Sequence, residues 1–189
     1  MGNSKQSPNL DKEDAFNVLD RIIGFVNNCD NKASIMLGIF GAIIAIICTT
    51  DGMSEIARIF HVVTINKSFC SIIYLILWFS SLLVLSFGLY NFISALRAKL
   101  DCGDMKSSKL DIDSKIYFGG ISKNKSYEQY LLKLRGLTSD DLLNDIISQI
   151  YINATICDKK FKCYNLGLML SIIGLIGFLI LWAIGSYIF

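Results

Sequence analysis

Two groups of residues in this chain could do chemistry. The first gathers where polar sequence meets apolar sequence: Asn27, Asp30 and Lys32 fall just before an uncharged run, and Arg97 and Lys160 stand near the borders of two others. Charged groups are costly inside a bilayer, so these belong at the interface or against protein. Asn27, Asp30 and Lys32 can gather at one helix end, and with Arg97 and Lys160 they offer a juxtamembrane polar cluster. Such a cluster can hold an anionic small ligand, or only lipid headgroups. For Arg97 and Lys99 the plainer reading is snorkelling at the end of a span. The second group is Ser114–Ser126, SKIYFGGISKNKS, where Tyr117 and Phe118 precede Gly119 and Gly120 among Lys115, Lys123 and Lys125. Aromatic faces can stack a base, and lysines beside a glycine pair can hold a phosphate. The plainer reading, which the residues alone favour, is a short strand or extended turn whose aromatics plug a domain core.

Little else invites chemistry. The six cysteines, at 29, 48, 70, 102, 157 and 163, form no CxxC pair, and His61 is the one histidine. Zinc wants four closely placed ligands, so no metal and no cofactor are expected. There is no GxxxxGK[ST], GxSxG or HExxH. Asp140 and Asp141 read as acids at a helix start rather than a catalytic pair. The chain is expected not to be an enzyme, and no nucleic-acid partner is expected.

The elements that must position these residues are apolar. Ala33–Thr50 carries no formal charge for 18 residues, about 27 Å as helix against roughly 30 Å of hydrocarbon. Ser68–Leu96 (29 residues) and Cys163–Phe189 (27 residues) are also uncharged, and the mean hydropathy is +0.50. Of 18 Lys and Arg, four precede the first run, two lie in Asp51–Lys67, and twelve lie from Arg97 to Lys162. The positive-inside tendency then predicts three spans, N-terminus in and C-terminus out. The fold class read here is an all-α membrane protein. It comprises a cytosolic amphipathic helix (1–31), spans at 33–50, 68–96 and 163–189, an outer loop (51–67) and a mostly helical cytosolic module (97–162). A buried helical hairpin in a soluble protein is the alternative for the second and third spans.

Local signals refine this. Ser7 and Pro8 read as a helix start, and Phe16, Leu19, Ile22, Ile23 and Val26 make an apolar stripe. That helix packs on the cytosolic module or lies on the membrane surface. The first 31 residues lack the apolar core of a signal peptide, and Gln6 argues against a myristoylation site. Ser34, Gly38, Gly41, Ala42 and Ala45 form a small-residue face, for packing within the chain or for an oligomer seam. Ile56, Ile59, Phe60 and Val63 predict a short outer helix. His61 is read as a solvent or interface residue, and Trp78 as a packing residue. Asp101–Ser114 reads as a polar linker. Ser126 and Gln129 read as a capping box, Gly136 as a terminator, and Ser139-Asp140-Asp141 as the next cap. The stripe Leu142, Leu143, Ile146, Ile147, Ile150, Tyr151, Ala154 and Cys157 has no proline or glycine in it, which predicts one helix from about Ser139 to Tyr187, continuous with the third span.

The combination FVNNCDNKASIMLGIFGAI, IYFGGI followed by YEQYL, and DLLNDIISQIYINATICDKKF resembles the transmembrane effectors of the Pycsar antiphage system, over nearly the whole chain. The resemblance implies a multi-pass protein of the bacterial inner membrane and a partner pyrimidine nucleotide cyclase that makes cyclic CMP or cyclic UMP on infection. It implies that the effector binds this nucleotide and impairs the membrane, killing the cell before phage matures (abortive infection). On that reading Lys32, Arg97, Lys115 or Arg135 meets the phosphate and Tyr117 or Phe118 stacks the base. A homo-oligomer is expected. The alternative is a nucleotide-independent, holin-like pore or a membrane scaffold.

Overall fold

A computed structural model describes residues 11–65, 68–97 and 114–188. The Ser7–Pro8 helix start, Lys67, Lys99, Cys102 and the linker up to Asp113 lie outside these residues. In chain order the helices are α1 (Lys12–Ile47), α2 (Thr50–Ile65), α3 (Phe69–Arg97), the single turn α4 (Phe118–Ile121), α5 (Tyr127–Arg135) and α6 (Ser139–Ile188). No strand occurs among the described residues. The expected amphipathic helix and first span are one helix, α1. The expected long helix into the third span is α6, 50 residues.

Three helices, α1, α3 and α6, are long and apolar enough to cross a membrane. Only 11, 28 and 22% of their apolar windows are buried within the chain. Large apolar side chains such as Ile76, Leu83, Phe87, Ile173, Ile176 and Ile180 lie open. A soluble bundle would bury these faces, whereas lipid is their natural solvent. The buried-hairpin alternative is thereby set aside: the chain is a multi-pass membrane protein.

The fold divides into two units. One takes in the chain up to Asn28 and Lys99–Asp158; the other takes in Cys29–Ala98 and Lys159–Phe189. In the second, Ala33 and Phe40 of α1 pack with Leu85, Phe92 and Ala95 of α3 and with Tyr164 and Leu168 of α6. A second cluster joins Ile59 and Val63 of α2 to Tyr74, Trp78 and Phe178. Trp78 meets Phe60 edge-on at 4.9 Å, and the Tyr74 hydroxyl donates to the Leu181 carbonyl at 2.9 Å. Both aromatics therefore pack between helices instead of anchoring at an interface.

The close crossing is α3 on α6. A Cβ on Gly88 would strike the Ser171 backbone, one on Gly174 would lie 2.7 Å from the Leu85 Cα, and one on Gly167 would lie 3.0 Å from the Gly88 carbonyl oxygen. Small residues at these positions let the backbones touch. The face expected on α1 is not used in this way. Ser34, Gly38, Gly41, Ala42 and Ala45 are all exposed, and a Cβ at Gly38 or Gly41 meets nothing within 4 Å.

In the first unit the α1 stripe centres on Ala15, which is buried, with Leu19, Ile22 and Val26 half-buried; Phe16 and Ile23 are exposed. On α6 the inward face is turned from the expected stripe. Asp145, Ile146 and Gln149 are buried, while Ile147, Tyr151 and Ala154 are exposed. The reason lies in the site: Asp145 faces inward to take a backbone N–H.

Candidate functional site

Of the cluster expected at the membrane border, the structure joins two members. Lys160 is 4% exposed, and its Nζ donates to Asp30 Oδ1 at 2.5 Å and to the carbonyls of Ala95 at 3.0 Å and Leu96 at 3.4 Å. An ammonium has three N–H donors, and here each has an acceptor. The two carbonyls belong to the last turn of α3, where helical partners run out and a cation is favoured. Lys160 therefore ties α6 to α1 and α3, its donors committed within the chain. Lys32 and Arg97 are exposed. Asn27, Asp30 and Lys32 stand within unbroken α1 and not at a helix end, and Asn27 belongs to the other unit.

Of the short strand or extended turn expected for the glycine–aromatic stretch, no strand forms, and the chain makes a turn. Ser114 is buried, and its Oγ accepts the N–H groups of Ile116 at 3.3 Å and Tyr117 at 3.0 Å. Tyr117 is extended (φ −89°, ψ 136°) and the chain then turns directly into α4. Gly120 is fixed by packing, because a Cβ there would strike the Ser114 carbonyl. The aromatics do not plug a core. Tyr117 is 45% and Phe118 73% exposed, with ring centroids 4.4 Å apart.

Lys115 is held by its backbone. Its N–H donates to Asp145 Oδ2 on α6 at 2.7 Å, and its carbonyl accepts from the Tyr130 hydroxyl on α5 at 2.9 Å. Helix α5 is placed by its capping box: Gln129 N–H donates to Ser126 Oγ at 3.3 Å, and Gln129 Oε1 accepts from Lys125 N–H at 3.0 Å. It ends at Gly136, whose N–H reaches the Leu132 carbonyl at 3.3 Å. The next cap is Thr138, one residue before the expected Ser139. Thr138 donates its N–H and hydroxyl to Asp141 Oδ2 at 3.1 and 2.6 Å, and its Oγ1 accepts the Asp141 N–H at 3.2 Å.

Between these elements lies a cleft of about 440 Å³, lined among the described residues by Lys115, Leu132, Lys133, Gly136, Leu137 and Asp141. That is within the usual range for small-molecule sites, roughly 300–1,000 Å³. Hydrogen bonds from the Thr138 side chain and backbone, with a smaller contribution from the Lys115 charge, hold the Asp141 carboxyl below its ordinary range. Asp141 is therefore an anion at neutral pH. Among the described lining residues, two lysines and one carboxylate sum to a single net positive charge, with apolar walls from Leu132 and Leu137.

Lys115 is the one expected ligand residue lining the cleft. Arg135 is exposed on α5, and neither it nor Tyr117 or Phe118 is among the lining residues. Sequence reasoning missed Lys133, Tyr130, Asp141 and Asp145 as site residues. Two signals were present. Lys133 sits three residues after Tyr130, on the same helix face, and Asp145 is an acid inside an apolar run.

No solved structure matches the chain. The Pycsar effector protein GmPycTM of Gulbenkiania mobilis is 29% identical over 186 residues, covering 94% of each chain. The Pycsar effector protein EcPycTM of Escherichia coli is 27% identical over 154 residues, 79% of this chain and 77% of its own. The family model described as Pycsar effector protein domain matches residues 14–188, from the first turn of α1 to the last residue of α6. With all three apolar helices and the cleft inside that match, the chain belongs to the Pycsar effector protein family.

Proposed function

We propose that this chain is an antiphage effector of the bacterial inner membrane, switched on when its cleft takes up a cyclic pyrimidine mononucleotide, cyclic CMP or cyclic UMP, made by a partner cyclase. The observation that carries this reading is the cleft's chemistry. The net single positive charge of its described lining residues matches the single negative charge of a cyclic phosphodiester, and Leu132 and Leu137 offer an apolar wall to a base. Lys115 and Lys133 meet the phosphate. Asp141 stands on the same helix, α6, that supplies the third span. Binding that favours one arrangement of this helix shifts the population toward it. Lys160 and Asp30 serve the fold, while Lys32 and Arg97 meet lipid phosphates at the border. Copies meet through the open face of Ser34, Gly38, Gly41 and Ala45. The active form impairs the membrane and ends the infection with the cell.

Calorimetric titration of the full chain in detergent with each cyclic mononucleotide tests the trigger. Binding of cyclic CMP or cyclic UMP, weakened about tenfold or more by Lys115→Ala or Lys133→Ala, is the expected result. No binding by any cyclic mononucleotide would overturn it. The open small-residue face favours a second reading, a pore that needs no nucleotide. Expression at native level without a cyclase separates the two, because a constitutive pore kills and a triggered effector does not.

A further inference from the structure

We propose that Asp145, together with Tyr130, is a positioning residue that fixes the direction in which Lys115 enters the cleft. This rests on the reading of the cleft as an anion site and adds how one of its two cations, the one outside regular structure, is held in place. Lys115 precedes α4 in a stretch without regular structure, so no ladder takes its backbone groups. Buried peptide groups must nonetheless find partners. The N–H finds Asp145 Oδ2 at 2.7 Å and the carbonyl finds the Tyr130 hydroxyl at 2.9 Å. Fastened on both sides, the Lys115 backbone holds its Cα–Cβ bond in one direction. Lys133 needs no such clamp: its backbone lies in the hydrogen-bonded ladder of α5, and its side chain is exposed.

The carboxyl at 145 is costly, which argues that its task is specific. It is fully buried, and its Oδ1 has no hydrogen-bond partner among the described residues. A leucine there would suit the apolar stripe, but it would remove the carboxylate oxygen to which the Lys115 N–H donates. Asp141, which lines the cleft and feels the Lys115 charge, lies four residues earlier on α6. Residues four apart share a helix face. The clamp and the cleft wall are thus successive turns of one helix, and any axial turn of α6 that moves Asp141 also moves the anchor of Lys115.

The test is a double-mutant cycle on the full chain in detergent, titrated with cyclic CMP and cyclic UMP. Asp145→Asn keeps a carbonyl oxygen for the Lys115 N–H and is expected to bind within about threefold of the parent. Asp145→Ala removes it and is expected to weaken binding about tenfold or more, yet by less than about twofold in a Lys115→Ala background. A general packing defect would weaken both backgrounds equally, and that result overturns the proposal. If Asp145→Ala does not fold, Tyr130→Phe stands in, with an expected loss of about threefold that also vanishes without the Lys115 side chain. A ligand-free arm separates this inference from the nucleotide reading. The acylation rate of Lys115 by an amine-reactive ester, measured by mass spectrometry, should change by about threefold or more in Asp145→Ala, with Lys133 unchanged. If no nucleotide binds the parent, the trigger fails and this arm alone decides the positioning. An unchanged Lys115 rate then overturns it.

Discussion

Lys160 shows how a charge persists at the border of an apolar span: each of its three donors meets an oxygen, one of them the Asp30 carboxylate. The two partners are not equivalent, since the Lys160 side chain is 6% exposed and that of Asp30 is 36% exposed. Removing Asp30 leaves a buried ammonium with two carbonyls, which costs about 3 kcal/mol or more. Removing Lys160 leaves a carboxylate that water reaches, and Lys160→Met also fills the space, so the cost is about 1–2 kcal/mol. Thermal unfolding of both variants in one detergent should therefore rank Asp30→Ala below Lys160→Met; the reverse order would contradict this account of the pair. Charges beside long apolar runs stand out in a sequence, which is why Asp30 and Lys160 were legible before the fold was known. What did not follow was their use: a border charge reads equally well as a ligand contact or a helix tie until its acceptors are seen. Asp145 was illegible for the opposite reason. It sits among Leu142, Leu143, Ile146 and Ile147, and hydrophobic periodicity aims such a helix by its apolar residues alone. The contact that turned it, with the backbone N–H of a residue 30 positions away, has no local trace.

Helices were the most legible elements. Long uncharged runs and the capping pair Ser126–Gln129 depend on local chemistry, so α1, α3, α5 and α6 follow from sequence nearly as drawn. Which faces touch does not. Small residues permit close approach without naming a partner, and two helices here carry such faces. Gly167, Ser171 and Gly174 of α6 are spent on α3, whereas Gly38 and Gly41 of α1 face open space. The difference predicts opposite mutational outcomes. Gly174→Ala forces a Cβ into the Leu85 backbone and should cost about 2 kcal/mol, the range of overpacked cores. Gly38→Ala meets nothing and should be neutral or stabilise by up to about 1 kcal/mol through helix propensity. Unfolding temperatures in detergent compare them directly. Gly38→Leu should leave the fold intact and, as the proposed seam requires, abolish killing during infection. Full killing by that variant would show that copies meet elsewhere.

At the scale of the molecule, the proposed trigger requires the cleft to face the compartment where a cyclase works. Charge placement supplies the argument, since four Lys and Arg precede the first apolar run and twelve follow the second, against two between them. With three crossings, the Asp51–Lys67 segment and the Arg97–Lys162 segment must lie on opposite sides. On the positive-inside tendency, the proposed orientation has the richer one, with the cleft, in the cytosol. The switch must also be quiet without ligand. Moving such an equilibrium from about 1:99 to 99:1 takes about 10⁴-fold tighter binding to the active form, or about 5.5 kcal/mol, more than a lone exposed ion pair supplies. That is a reason to seat the ligand in a cleft with two lysines and apolar walls instead of on an open lysine patch. The orientation is testable with cysteines placed at two exposed positions, His61 on α2 and Lys125 before α5. Treated with a membrane-impermeant maleimide, intact spheroplasts should label His61→Cys above the parent chain and leave Lys125→Cys at the parent level until the membrane is opened. Labelling of Lys125→Cys in intact spheroplasts would put the cleft outside, where no cytosolic nucleotide could reach it, and the proposed trigger would fall with the orientation.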